Sequence, residues 1–337
     1  MGRAVLFKSK ERFLAFQKAI EDRGIGCIVL DFDSQEWVEY DYSNIDFVIY
    51  YPSFKFSSNF PLALYDVSDN LTRIKSLYPS VRMYPDPAIV EYYNDKYKQY
   101  LYLKGNHYPM PLTYPLFSRE SLRMAEQRLG YPMVVKNRYG AGGRSVYQVK
   151  NRKELETYYN LSMFDLFNRE SAKYFIRMVS RRIFYYHLIR AKRMYYPFLS
   201  PPLLAQEFIR TDRDLKTVVG EYKVVEAHWR IQASEEQWKV NIDGGGIGEW
   251  SRIPGGAIEL SERLARDLKT SWINIDIIPH EEEYLITEFS PVWHHYAYRE
   301  KPTFVYKDDY NISVPLETAV NLERMIVDSL IRAGKQA

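Results

Sequence analysis

Two acids in the segment INIDIIPHEEEYLITEFSP have a setting suited to cation chemistry. Asp276 lies in one apolar-rich run, Glu288 in the next, and the turn at Pro279–Glu283 separates them. Such runs around a short polar turn predict a hairpin, which brings carboxylates on adjacent strands close together. Like charges that close stay ionised only with a cation nearby, and carboxylate oxygens suit a hard one such as Mg²⁺. A second set reads YPMVVKNRYGAGGRSV, where a predicted strand Met133–Lys136 ends in lysine and runs into Gly140, Gly142 and Gly143. Glycines let backbone amides approach an oxyanion and the lysine adds a point charge, so the loop suits phosphate. A lysine before a glycine-rich hairpin is also the mark of an ordinary turn, and alone it establishes nothing. In the third set, LLAQEFI leads into TDRDLKTVVG and YKVVEAHWRI. Predicted strands Leu215–Val219 and Lys223–Ala227 flank Gly220-Glu221-Tyr222, an arrangement that puts Lys216 and Arg230 at opposite ends of a ribbon. In WKVNIDGGGIGEW, Lys239 and Asn241 precede the glycines 244–246.

From about Asp95 to Pro291, the order and spacing of these segments resemble the ATP-grasp superfamily, in particular the ribosomal-protein glutamate ligase and related amino-acid ligases. The family's Asp-Lys pair ahead of a helix matches Asp95 and Lys96 in NDKYKQYLYLKGNHYPMPLT, and its second lysine matches Lys136. Its adenine-reading hinge matches Gln206-Glu207-Phe208-Ile209. The acid and base before its Val-Val-Gly hairpin match Asp214 and Lys216, with Asp212 an alternative for the ribose. Its outgoing arginine corresponds to Arg230, and its Arg-x-Asn to Lys239 and Asn241. The Mg²⁺ signature, Asp then Glu-x-Asn, corresponds to Asp276, Glu288 and Ser290. Ser290 stands where the family has asparagine, and a hydroxyl is a shorter, weaker Mg²⁺ donor than an amide oxygen.

The resemblance implies ATP and Mg²⁺ as cofactors and carboxylate–amine ligation through an acyl phosphate, with a carboxylate donor and an amine acceptor, small molecule or peptide, as the other partners. Lys96, Lys136 and the glycine loop would hold phosphates. Arg230, Lys239 and Asn241 would be catalytic, steadying the acyl phosphate. Two rivals share the same nucleotide residues: phosphoryl transfer to a hydroxyl, and a nucleotide-binding scaffold without turnover. For Arg230 a structural ion pair is the competing reading. His294 and His295 follow the carboxylate strand, and adjacent residues of an extended chain point to opposite sides, which argues against a shared metal.

The elements that must position these residues begin with an α/β pattern over residues 1–90. Strands are predicted at Ala4–Phe7, Cys27–Leu30, Ile45–Tyr50 and Val81–Tyr84, with helices through Phe13–Ile20 and Asn70–Leu77. No G-x-G-x-x-G follows the first strand, so a dinucleotide-type site is not expected there. Pro85 and Pro87 mark a crossing to a helical pattern over Ala88–Leu103, a Pro-rich connection at Tyr108–Tyr114, a helix at Arg119–Leu129 and a return strand at Val146–Val149. The expected architecture is α/β and α+β, an ATP-grasp fold. A pre-ATP-grasp domain occupies 1–90, a first lobe 91–200 and a second lobe 201–337, the last with the Mg²⁺ site and a C-terminal helix.

Hydrophobic residues make up 46% of the 337, charged residues 26%, and the net charge is +3, too slight a bias to point to nucleic acid. The chain has no run of the ~20 apolar residues a membrane helix needs. A single cysteine, Cys27, in the apolar run IGCIVL and read as a buried thiol, and the absence of an export signal lead to the expectation of a reducing cytoplasm. The basic segment 169–196, with Arg169–Arg193 holding eight basic residues against Glu170, is helix-compatible. Ile176, Val179, Ile183 and Tyr186 would face the protein and Arg177, Arg181, Lys192 and Arg193 the water. A docking helix with a solvated face competes there with a surface for an acidic substrate or partner, or for a membrane face.

Overall fold

The computed structural model describes the chain outside residues 1, 9–11, 33, 51–59, 94, 141, 142, 144, 164, 166, 168, 170, 174, 178, 181–198, 233, 235–237, 241–245, 250, 292–303, 307–312, 316–320 and 337. Residues 60–67, 304–306, 313–315 and 336 are described by backbone alone. Asn241, Gly142, His294, His295 and the second half of the basic segment therefore lie outside the described residues.

The amino-terminal sheet is parallel, in the order β2 (Gly26–Leu30), β1 (Arg3–Phe7), β3 (Phe47–Ile49), β4 (Arg82–Tyr84). Alternation along β1 divides its side chains between two cores, which is why helices cover both faces. Ala4 and Leu6 meet α1 (Phe13–Glu21) and the C-terminal helix, Leu322–Gln336, whereas Val5 and Phe7 share a cluster with Leu71 and Ile74 of α3 (Phe60–Leu77), which follows the short α2 (Glu36–Glu39). A buried ion pair, Arg12 Nε to Glu323 at 2.7 Å, ties the α1 N-terminus to the C-terminal helix. β2 is an edge strand and leaves Cys27 half-buried, so the thiol is not in the core as the apolar run suggested.

The helix expected over Ala88–Leu103 is two: α4 (Pro87–Val90) and α5 (Lys96–Gly105). Asp95 restarts the second by accepting hydrogen bonds from the Tyr97 and Lys98 amides, both at 3.1 Å. A four-stranded antiparallel sheet follows, in the order β5 (Thr113–Leu116), β8 (Leu203–Glu207), β6 (Met133–Lys136), β7 (Val146–Val149). Its Met133, Val135 and Ala205 face α6 (Arg119–Leu129) and α7 (Arg152–Ser162). Val134, Lys136 and Gln206 are thereby turned to the other face.

The second antiparallel sheet runs β11 (Ile247–Glu249), β10 (Lys223–Ile231), β9 (Arg213–Gly220), β12 (Trp272–His280), β13 (Glu283–Ser290). Leu215, Val219, Ile273, Ile275 and Ile277 pack under α8 (Gly255–Asp267). The intervening residues, Asp214, Lys216, Asn274 and Asp276, occupy the opposite face, as a period of two requires. A small hairpin, β14 (Phe304–Tyr306) with β15 (Ser313–Pro315), precedes the C-terminal helix, α9 (Leu322–Gln336). In the basic segment Ile176 is 64% exposed, so it faces away from the protein rather than toward it, beside an exposed Arg177. Among the described residues no helix is long and apolar enough to cross a membrane.

Candidate nucleotide site

The ladder between β12 and β13 pairs Asp276 directly with Glu288, as the hairpin pattern predicts. Three cations balance these acids. Lys216 Nζ lies 3.0 Å from Asp276 Oδ1, Arg230 Nη2 2.9 Å from Asp276 Oδ2, and Lys96 Nζ 3.5 Å from Glu288 Oε1. Burial alone would raise the Asp276 carboxyl, but Arg230 and Lys216 outweigh it and hold it well below the usual carboxylate range.

Lys216 and Arg230 do not stand at opposite ends of the ribbon. Their strands run three and four residues longer than the sequence suggests, and the register sets Arg230 against Asp214 and His228 against Lys216. Both bases therefore sit at the open end of the hairpin and meet on Asp276. Arg230 also grips Asp214, Nε at 2.6 Å and Nη2 at 2.7 Å. Burial opposes the charged guanidinium, and Asp214 and Asp276 outweigh it, raising Arg230 well above its ordinary value. Both readings of Arg230 keep a place here: it is a buried ion pair, and its Nη1 is not engaged by either carboxylate.

Lys96 opens α5, where the helix dipole disfavours a cation, and Asp95 and Glu288 supply the compensating charge. Its ammonium, 5% exposed as a residue, donates to the Gly140 carbonyl of the glycine loop. Lys136 projects from the other sheet, its Nζ 3.5 Å from the Thr287 carbonyl on β13. Burial pushes Lys136 down to about 8; Glu288 and Asp276 oppose that shift and Lys96 reinforces it. The loop between the lysines is built for close approach: Gly140 has φ 150°, and a Cβ there would collide with Ser145 Oγ.

The hinge side chains serve β5. Gln206 Nε2 donates to Thr113 Oγ1 at 2.8 Å, and Glu207 Oε1 accepts from the Leu112 amide at 2.5 Å. Phe208 meets Trp238 edge-on at 6.0 Å, and Lys239, next in sequence, donates to the Gly143 carbonyl at 2.7 Å. The 238–239 segment thus spans from hinge to glycine loop. Burial lowers the Lys239 ammonium.

Sequence reasoning passed over two residues that shape this gap. Asn137, fully buried, accepts from the Ser200 amide at 2.6 Å and donates to the Tyr139 carbonyl at 2.8 Å, fixing the loop. Arg138 forks Asp95, with Nη2 at 2.8 Å, and so ties the loop to the cap of α5. Both stand in the NRYG run right after Lys136, where a charged and an amide residue entering a glycine loop were the available signal.

Known proteins share the fold. Residues 93–170 match the family model described as ATP-grasp domain. Over 88 residues, 26% of this chain, the sequence is 34% identical to a phosphoribosylaminoimidazole carboxylase of Candida glabrata, and the match spans 15% of that relative's length. Among solved structures, the ATP-grasp ligase PsnB complexed with minimal precursor, Mg and ADP superposes with TM-score 0.58 at 14% identity, covering 98% of each chain. The D-alanine–D-alanine ligase of Bacillus anthracis gives TM-score 0.58 at 12% identity, covering 100% of this chain and 99% of that one. The chain has the ATP-grasp fold.

Proposed function

We propose that this ATP-grasp chain is an ATP- and Mg²⁺-dependent ligase that activates a carboxylate as its acyl phosphate and joins it to an amine. The observation that carries the reading is the convergence at one gap of Lys96, Lys136 and the glycine loop with the paired acids Asp276 and Glu288. Phosphates need the first group and a hard cation the second. The donors fit Mg²⁺: they are carboxylate oxygens on directly paired strands, and Arg230 and Lys216 hold Asp276 ionised.

In this reading Lys96, Lys136 and loop amides bind the phosphates, and hinge residues 206–209 receive the base. Mg²⁺, when bound, supplies charge neutralisation to the phosphates. A carboxylate oxygen forms a bond to the γ-phosphorus as the bond to the bridging oxygen of ADP breaks. The amine then attacks the acyl carbon, phosphate leaves, and the amine proton passes to solvent. Asp214 fixes the plane of Arg230, leaving Nη1 to hold the anionic intermediate, and Lys239 keeps the glycine loop closed over it.

The test is ADP release across a matrix of acids and amines. The reading expects release that needs both partners, with an amide product; release with a hydroxyl compound and no amine would instead mean phosphoryl transfer, and binding without turnover across the whole matrix a scaffold.

A further inference from the structure

The strand that carries Asp276 also carries Asn274, two residues earlier and on the same face. In the ladder Asn274 pairs with Ser290 as Asp276 pairs with Glu288. The two pairs share one face of the ladder, with the Ile275–Phe289 rung between them, and on the second the amide stands on β12 and the hydroxyl on β13. Asn274 is 4% exposed. Its amide satisfies its surroundings with Oδ1 2.7 Å from Lys216 Nζ and Nδ2 3.2 Å from the Ser290 carbonyl. The reverse orientation would set donor against ammonium and oxygen against carbonyl. Lys216 Nζ is at the same time 3.0 Å from Asp276 Oδ1.

One cationic atom is thus held between an amide oxygen at 274 and a carboxylate oxygen at 276, the donor types that a hard divalent cation takes. The Ser290 carbonyl fixes which way the amide oxygen points, as outer partners of metal ligands do. We propose that Asn274 supplies the amide oxygen of the divalent-cation site, the part that the family pattern gives to position 290. Lys216 Nζ is the cation that oxygen faces here, at 2.7 Å. Ser290 is then a positioning residue acting through its main chain, and its hydroxyl is dispensable. The assignment rests on the nucleotide reading above.

The experiment is an electron paramagnetic resonance titration of Mn²⁺, with saturating ADP, for the full chain and for Asn274→Ala, Asn274→Asp and Ser290→Ala. Asn274→Ala should weaken Mn²⁺ by about tenfold or more, the scale of losing a supporting ligand. It should also admit an additional coordinated water in isotope-labelled solvent, a change that a merely structural role would not produce. Asn274→Asp keeps an oxygen at the same reach and adds charge, so it should bind Mn²⁺ at least as tightly as wild type. Ser290→Ala should stay within about twofold. Unchanged Mn²⁺ affinity in Asn274→Ala, or a tenfold loss in Ser290→Ala, overturns the assignment alone. Should Asn274→Ala fail to fold, Asn274→Asp decides: weaker Mn²⁺ binding there overturns it. A wild-type protein that binds no Mn²⁺ with ADP overturns the nucleotide reading and this assignment together.

Discussion

Arg230 holds Asp214 through Nε and Nη2 at 2.6 and 2.7 Å and, with the same Nη2, reaches Asp276 at 2.9 Å. One guanidinium thus joins an acid on β9 to an acid on β12. Removing it leaves two buried carboxylates short of their cation, and breaking a buried pair from one side costs about 3–5 kcal/mol. Arg230→Ala should therefore lower the urea midpoint strongly. The double change Arg230→Met with Asp214→Leu removes charge from both sides and should recover much of the loss. A single variant as stable as wild type would mean that the fork contributes nothing to folding.

In the proposed site Lys136 should give nucleotide binding a pH dependence. Its ammonium, pushed down to about 8 by burial, is protonated at neutral pH and loses its proton above that value. Phosphate oxygens favour the charged form, so the bound complex has the higher pKa. ADP affinity should be flat below about pH 7 and fall above pH 8 by up to about tenfold per unit. Calorimetry at pH 8.5 in buffers of different ionisation heat should register proton uptake on binding. Lys136→Met should bind more weakly and show neither effect; an unchanged affinity would remove Lys136 from the site.

Much of the candidate site was legible because its carriers are short, regular and punctuated. The glycine loop follows a clean apolar strand at Met133–Lys136, and the acids flank a polar turn that fixes their pairing. The ribbon was misread because its register depends on a turn with no glycine at its centre. Glu221 and Tyr222 both take positive φ, at 50° and 66°, and the strands continue past the apolar runs to Arg213 and Ile231. Strand β5 was hidden by Pro115 within its four residues and Pro111 just before them, and α7 by a polar surface. Asn274 left no mark in the sequence, since its relation to Ser290 exists only once the ladder forms.

Glu226 should make stability fall with rising pH. It is fully buried on β10, beside His228 at 3.9 Å. Burial raises its carboxyl to about 8, against the opposing pull of Lys216 and Arg12, while Glu323 adds to the rise. The folded-state pKa lies above the unfolded one, so the native chain holds a proton that the unfolded chain releases. Its contribution is complete below the unfolded pKa, near 4.5, and is lost as pH climbs through about 8, by at most about 1.4 kcal/mol per unit. Glu226→Gln keeps the shape without the proton. Urea midpoints from pH 5 to about 8.5 should decline for wild type and flatten for the variant. Parallel curves would place the pH dependence elsewhere.

Glu288 faces Asp276 across the ladder and Lys96 across the gap between the sheets, at 3.5 Å. It thus links Lys96, which also holds the Gly140 carbonyl, to the strand that carries Asp276. Glu288→Gln keeps the oxygen-bearing shape while removing the charge that a bridging cation requires. Folding should survive, because the side chain is partly exposed and its partner Lys96 keeps the Gly140 carbonyl. Divalent-ion affinity and turnover should not survive: with an active acid and amine pair, a Mg²⁺ titration of ADP release should show a plateau lower by about two orders of magnitude or more. Binding of metal-free ADP should change little or tighten, since one negative charge near the phosphates is gone. A variant with wild-type turnover and wild-type Mg²⁺ dependence would remove Glu288 from the metal site, and the ligase mechanism with it.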